Sequence, residues 1–490
     1  MNAAGGADAR LDVLFGRLAG RMVCVNGLGI SGPPVVRALA DRGARVTAVD
    51  GRDDNGNRRV AQELSCLGVT VVLSPEPQLP DGTELVVTTP GWRPGTPLLA
   101  AAADAGIPVI GDVELAWRLR PVLADGSRQD WLAVTGTNGK TTTVQMLAAM
   151  LSAAGLHSVA AGNVGRSVVD AIGEPEPYRV LAVELSSFQL YWSQSVRPLA
   201  AVVLNVAAHH LDWHGDIESY AQAKGRVYAP GTVAVCNADD ARSRELAAAA
   251  APHARRVVGF RLGAPGPGEL GVAGDVLLDR AFGGPDGAAA PGGVTLAGVD
   301  DVQPPAPHNV ADALAAAALA RAYGVPPEAV RAGLTLFRPA PHRMSLVAQI
   351  GGVDYVDDSK ASNPHAAAAS LAAYPSVVWI AGGLFRGADA DIDMLVGSVG
   401  PRLRGVVLLG ADRDVIRRSL ARHAPDVPVV EAVRTDTGAM DLVVAEAAKL
   451  AAPGDTVLLA PAAQSFDMFR DYPARGDAFA AAVGRLADSR

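Results

Sequence analysis

The stretch Val134-Thr-Gly-Thr-Asn-Gly-Lys-Thr-Thr-Thr143 decides how this chain is read. An apolar run, WLAV, leads into it, and TTTVQML follows, so a strand delivers a glycine turn that opens a helix. Backbone N–H groups at such a junction cradle phosphates, while Lys140 supplies a point charge and Thr141 a hydroxyl for Mg²⁺. The loop is nonetheless clipped. Only Thr137 and Asn138 separate Gly136 from Gly139, fewer residues than the common phosphate loop places before its Gly-Lys pair.

A nucleotide site also needs an acid on a neighbouring strand. VLAVE runs four apolar residues straight into Glu184, and the C-terminal rim of an α/β sheet is where ligands bind. The next apolar run, AAVVLN, opens into Asn205 and then His209, His210, Asp212 and His214. Three of the nine histidines thus fall within six residues. Zinc is one reading of the cluster, although the HExxH signature is absent; a solvated loop is another.

The chain has 490 residues, more than one core normally supports, so two or three domains are expected. A net charge of -8 argues against a general basic field for nucleic acid. Three widely spaced cysteines, Cys24, Cys66 and Cys236, read as small buried apolar residues of a reducing compartment. The first residues carry Asp and Arg where a signal peptide needs an apolar core, and no apolar run is long enough to span a membrane. A cytoplasmic protein without a membrane span is expected.

Strand-like runs alternate with Ala-rich helical stretches from end to end, the pattern of parallel sheets with crossover helices. Three such cycles separate, with boundaries predicted near residues 112 and 339. Residues 261 to 306, dense in Gly and Pro, break the rhythm and read as hairpins decorating the middle cycle. In the first cycle MVCVN is followed by Gly27-Leu-Gly29-Ile-Ser-Gly32, and Asp50 closes the next strand. This matches a dinucleotide fingerprint, yet the physics specifies only a diphosphate beside a helix N-terminus. NAD and a nucleotide-sugar both satisfy it.

Taken together, GTNGKT, the ELSSFQL run at 184–190, the N-x-x-x-x-H-L-D run, and the later HN and DDSKASN motifs resemble the Mur ligases over nearly the full chain. Within that family, ELSSFQL and DDSKASN look like the branch that adds D-glutamate. The clipped loop is how that superfamily binds ATP. The resemblance implies an α/β chain of three domains: a Rossmann-like N-terminal domain over 1–112, a central P-loop-type mononucleotide-binding ATPase domain over 113–339, and a Rossmann-like C-terminal domain over 340–490. The implied activity is ATP-dependent ligation of D-glutamate to UDP-N-acetylmuramoyl-L-alanine through an acyl phosphate, in peptidoglycan precursor synthesis. Both substrates are small molecules, and a monomer is expected.

The resemblance also implies residue roles. ATP would meet Gly136, Thr137, Asn138, Gly139, Lys140, Thr141 and Thr142, with Asn309, Arg343 and Asp358 around the adenosine. Two Mg²⁺ ions would be held by Thr141, Glu184, His210 and Lys224, the last as a carbamate formed from CO₂. Lys140, Glu184, His210 and Lys224 would form the catalytic set. Gly27, Gly29, Ile30, Ser31 and Gly32 would take the diphosphate end of the nucleotide-sugar, Asp50, Gly51 and Arg52 the uridine, with Gly91 on a second loop and Asn163 on the sugar. D-Glutamate would be gripped by Lys360, Ser362, Arg386, Ser465, Phe466 and Tyr472. Two positions depart from the pattern: Asp312 replaces an amide of the HNxxNA run, and Arg386 stands where some members carry Lys. Three competing readings remain: a sister ligase for another amino acid, an NAD-dependent oxidoreductase, and a non-catalytic nucleotide switch.

Overall fold

The computed structural model describes residues 3–283, 292–433 and 438–489. It divides into two compact units, Met1–Asp301 with Ala311–Leu336, and Val302–Val310 with Phe337–Arg490.

The first unit contains two sheets. One has five parallel strands in the order Thr70–Leu73, Arg45–Asp50, Met22–Asn26, Leu85–Thr88 and Val109–Gly111. Its strands are apolar runs such as Leu85–Thr88, buried at every position because helices cover both faces. Chain order reverses beside Met22–Asn26, so the turns after that strand and after Leu85–Thr88 face one crevice, where such sheets bind ligands. The helix Gly32–Ala40 starts there with Pro33 and Pro34 in its first turn, where a missing N–H costs nothing. A Cβ on Gly32 would lie 2.2 Å from the Gly27 carbonyl oxygen, so only glycine lets the turn close.

The second sheet of this unit has nine strands. Its centre runs Ala200–Val203, Asp130–Thr135, Val180–Glu184, all parallel, again placing a reversal of chain order at the strand that feeds the clipped loop. Glu269–Ala273, Val276–Asp279 and Val294–Gly298 extend one edge as antiparallel hairpins, as the Gly/Pro-rich stretch predicts; its residues 284–291 lie outside the described ones. Behind this sheet the Ala-rich stretch Ala313–Ala320 is fully buried.

The second unit holds a six-stranded sheet in the order Ser345–Ile350, Val353–Asp357, Thr456–Leu459, Val377–Gly382, Leu403–Leu409 and Val429–Glu431, parallel except for the first pair. Buried Arg475, on the helix Tyr472–Asp488, binds the carbonyl oxygens of Ser359 (2.8 Å) and Ala463 (3.0 Å) and the Ser359 hydroxyl (3.0 Å). One guanidinium thereby locks the DDSKAS and PAAQS segments to each other.

One expectation is corrected. Cys24 and Cys236 are buried, but Cys66 is exposed at the C-terminal end of the surface helix Asn55–Ser65. A single residue on an amphipathic helix takes whichever side the periodicity assigns, whatever its type prefers. Among the described residues no helix is long and apolar enough to cross a membrane.

Candidate active site

The clipped loop is shaped chiefly by a residue without an assigned role in the sequence reading. Asn205, at the end of the neighbouring strand, accepts from the N–H groups of Thr137 (3.1 Å) and Asn138 (2.9 Å) through Oδ1, and its Nδ2 donates to the Asn138 carbonyl (3.2 Å). The Asn205 carbonyl also accepts from Thr137 N–H at 3.0 Å. Gly139 then takes a left-handed conformation (φ 84°) and starts the helix Lys140–Ala153. The side chain of Asp312 lies against it, so a Cβ on Gly139 would come within 2.3 Å of Asp312 Oδ1. The first turn of that helix carries N–H groups with no intrahelical partner, which suits an anion. The Lys140 ammonium is folded back onto the carbonyls of Gly136 (3.0 Å) and Thr137 (2.9 Å).

Glu184 ends the adjacent strand and is 1% exposed. One oxygen accepts from the Thr141 hydroxyl at 2.7 Å and the other from Asn163 Nδ2 at 3.3 Å. A carboxylate and a hydroxyl side by side beside a phosphate loop are the oxygen donors Mg²⁺ takes. Among the described residues no group of three or more His, Cys, Asp and Glu could hold a metal unaided.

Lys224, on the helix Ile217–Gly225, is 1% exposed. Its ammonium donates to the Gly136 carbonyl at 2.8 Å and lies 4.6 Å from the centre of the Tyr220 ring. Burial, with Lys140 nearby, pushes its pKa well below the ordinary lysine value. His210 adopts a left-handed conformation (φ 56°), its ring 4.8 Å from that of Phe188. Desolvation lowers its pKa to about 4 although the residue is exposed, which leaves the imidazole neutral near pH 7, the form a metal ligand needs. His214 instead pairs with the Ser187 hydroxyl at 2.9 Å.

The nucleotide-sugar candidates converge as well. A cleft of about 610 Å³ in the first unit is lined by Gly29, Ile30, Ser31, Asp50, Gly51, Arg52, Gly91 and Asn163. Gly27 and Gly32 build the turn beneath it. Asp50 is buried, and its oxygens already accept from the N–H groups of Leu28 (2.7 Å) and Arg52 (2.9 Å). It therefore braces the turn from below while lining the cleft. Sequence reasoning missed seven other lining residues, Thr89, Pro90, Trp92, Asp112, Gly162, Ser167 and Gln189. Gln189 lay inside the quoted ELSSFQL run and could have been found there. Trp92 and Asp112 follow strand ends, which was the one available signal.

In the second unit, Lys360 Nζ lies 4.0 Å from the centre of the Tyr472 ring, and the Ser359 hydroxyl donates to the Tyr472 carbonyl at 2.8 Å. The buried Ser465 sits on the PAAQS segment that Arg475 ties to Ser359. Ser362 follows on the same DDSKAS segment, while Arg386 and Phe466 are exposed. Asp358 is buried, accepts from the Ser370 hydroxyl and from Met344 N–H (3.3 Å), and burial raises its pKa to about 6. Arg343 is half-buried and electrostatically coupled to Asp358, and Asn309 donates to the Pro304 carbonyl at 3.1 Å.

Known proteins resemble this chain along most of its length. Family models match residues 21–111 (Mur ligase MurD-like, N-terminal domain), 134–320 (Mur ligase middle domain) and 342–463 (Mur ligase, glutamate ligase domain). The UDP-N-acetylmuramoylalanine–D-glutamate ligase of Thermobifida fusca (strain YX) is 61% identical over 472 residues, 96% of this chain and 99% of that protein. Its counterpart in Streptomyces coelicolor is 57% identical over 470 residues, 96% of this chain and 98% of that protein. Among solved structures, UDP-N-acetylmuramate–alanine ligase from Thermotoga maritima superposes with a TM-score of 0.56 at 18% identity, covering 96% of this chain and all of that one, which bears on the fold alone. With three consecutive domain matches and near-full-length relatives of this identity, the chain belongs to the Mur ligase family.

Proposed function

We infer that this chain is the ATP-dependent ligase that joins D-glutamate to UDP-N-acetylmuramoyl-L-alanine in peptidoglycan precursor synthesis. The observation that carries the reading is 61% identity across 96% of the chain to a relative with that activity in its name. The NAD reading leaves the Thr141–Glu184 pair and the shaped clipped loop without a task, and the switch reading leaves the cleft without one.

Amide formation from a free carboxylate requires an oxygen that can leave. The γ-phosphoryl of ATP moves onto the carboxylate oxygen of the alanyl group, the P–O bond to ADP breaks, and an acyl phosphate results. The D-glutamate amine then attacks the acyl carbon, loses a proton, and expels phosphate. Three anionic partners meet, so the requirement on the protein is fixed positive charge. Lys140 exchanges its two loop carbonyls for phosphate oxygens. Thr141 and Glu184 would hold one Mg²⁺, and His210 with a carbamylated Lys224 would hold a second. Bound Mg²⁺ neutralises phosphate charge and orients the oxygens. Carbamylation needs a neutral amine, which attacks CO₂ to form a C–N bond and releases a proton; burial of Lys224 supplies the neutral form.

In this reading the cleft of the first unit takes the nucleotide-sugar, with Gly27 to Gly32 against diphosphate, Asp50 to Arg52 and Gly91 toward uridine, and Asn163 toward the sugar. Gly136 to Thr142 take the ATP phosphates, and Asn309, Arg343 and Asp358 the adenosine. Lys360, Ser362, Arg386, Ser465, Phe466 and Tyr472 form the D-glutamate pocket; Arg386 offers a bidentate grip that Lys cannot. The domains end near residues 112 and 339, and the enzyme works as a cytoplasmic monomer. The test is phosphate release from ATP, expected only when UDP-N-acetylmuramoyl-L-alanine and D-glutamate are both present. Turnover with L-alanine or diaminopimelate in place of D-glutamate would overturn it in favour of a sister ligase.

A further inference from the structure

We propose that Asp112 is a positioning residue for the nucleotide-sugar: its carboxylate holds the amide of Gln189, on the wall of the cleft, in one orientation and so fixes which hydrogen-bonding face that amide presents to the substrate. The inference rests on the assignment of that cleft to the nucleotide-sugar.

Asp112 is the first residue of the helix Asp112–Leu119, directly after the edge strand Val109–Gly111. An acid there complements a helix dipole, and that alone would explain a solvated side chain. This one is 5% exposed and lines the cleft. Burial is its main perturbation and raises its pKa to about 6, a cost that dipole complementation does not require. Hydrogen bonds offset part of it. Oδ1 accepts from Val113 N–H at 3.0 Å, and Oδ2 accepts from Gln189 Nε2 at 3.4 Å.

The consequence lies in the partners. Gln189 Oε1 already accepts from Ser186 N–H (3.0 Å) and the Ser186 hydroxyl (3.1 Å), closing a capping box on the helix Ser187–Tyr191. With Nε2 on Asp112 the amide has one orientation. A flip would set its oxygen against a carboxylate and its NH₂ against an N–H. The second Nε2 hydrogen is thereby committed as a donor on the wall the cleft shares with Asn163 and Ser167. A nucleotide-sugar presents hydroxyl, carbonyl and phosphate oxygens, all acceptors.

Asp112→Asn is nearly isosteric but sets an NH₂ against either Gln189 Nε2 or the Val113 N–H. Steady-state kinetics should show the KM for UDP-N-acetylmuramoyl-L-alanine rising about tenfold, with kcat and the KM values for ATP and D-glutamate within about twofold. Because Asp112 acts through Gln189, adding Asp112→Asn to Gln189→Ala should worsen that KM by less than about twofold. A parallel fall in kcat with all three KM values raised would mark a merely structural role and overturn the proposal, as would full additivity. Asn163→Ala separates the layers. If it raises the nucleotide-sugar KM while Asp112→Asn does not, Asp112 fails alone; if neither moves it, the cleft assignment fails with it. Should Asp112→Asn not fold, Gln189→Glu cuts the tie from the other end while keeping the capping-box acceptor, with the same KM rise expected and an unchanged KM overturning the proposal.

Discussion

Replacing Asn205 by Ala probes the loop more sharply than replacing any residue expected to touch ATP. The side chain makes three hydrogen bonds to the clipped loop, two to N–H groups of Thr137 and Asn138 and one to the Asn138 carbonyl. Thr137 keeps the Asn205 carbonyl as a second acceptor at 3.0 Å, so the loss falls mainly on the two bonds to Asn138. At about 1 kcal/mol net per bond, about 2 kcal/mol of loop order is removed. In the free enzyme the released groups turn to water, and stability changes little. In the ATP complex the loop must be ordered again, and the cost moves into binding. About 2 kcal/mol corresponds to an increase in KM for ATP on the order of 30-fold. Phosphate-release kinetics at saturating nucleotide-sugar and D-glutamate read this directly, with the KM for nucleotide-sugar as the internal control. An ATP KM within twofold of the parent, or equal increases for both substrates, would refute the claim that Asn205 holds the loop in its binding form.

Other perturbations have definite signs. Lys140→Ala should abolish turnover while leaving equilibrium binding of the nucleotide-sugar intact by calorimetry, because the cleft contains none of the loop's residues. Lys224→Ala should lose activity and regain part of it with added short-chain carboxylic acids, which replace a carbamate; absence of rescue across a range of acids counts against the modification. Gly139→Ala should eliminate ATP-dependent turnover, since its Cβ would sit 2.3 Å from Asp312 Oδ1 in a left-handed conformation. The Asp358 carboxyl is raised from 3.8 to about 6, so the folded chain holds its proton more tightly than the unfolded chain. Its burial therefore costs nothing below about pH 4, and the cost grows to a plateau above about pH 6. Relative to the parent, Asp358→Asn should gain stability across that window, by at most about 3 kcal/mol, and thermal melts from pH 4 to 8 should show no such trend if the carboxyl titrates normally.

What the sequence made legible was the set of sheet rims. Apolar strands that end abruptly in Gly, Glu or Asn, such as WLAVTG, VLAVE and AAVVLN, are visible because both faces of a parallel sheet must be apolar. The structure brings the ends of those three strands side by side. Contacts made by a side chain to backbone far along the chain were not legible. Asn205 reads as one more polar residue after a strand until its 68-residue reach to Thr137 is seen. Asp112 and Gln189 are likewise separated by 77 positions and meet only because elements far apart in the chain wall one cleft of the first unit. Composition misled at Cys66, where residue type predicts burial and helix phase decides otherwise.

The two glycine turns of the first unit show why a motif by itself underdetermines chemistry. Both stand at a reversal of strand order, and both open a helix. They differ in what lies beneath. Under the first turn Asp50 spends both oxygens on backbone N–H groups, so the turn meets its ligand with backbone dipoles and no metal-binding acid. Beside the second, Glu184 keeps its carboxylate on a hydroxyl and an amide, both of which a cation can displace. On the proposed function the first turn suits a diphosphate that stays intact, and the second a triphosphate whose terminal group must leave. Exchanging the acids tests this: Asp50→Asn should cost stability through the Leu28 and Arg52 contacts with little change in the Mg²⁺ dependence of turnover. Glu184→Gln should do the reverse, raising the Mg²⁺ requirement with little change in Tm. A common response to both substitutions would mean that the acids do the same work.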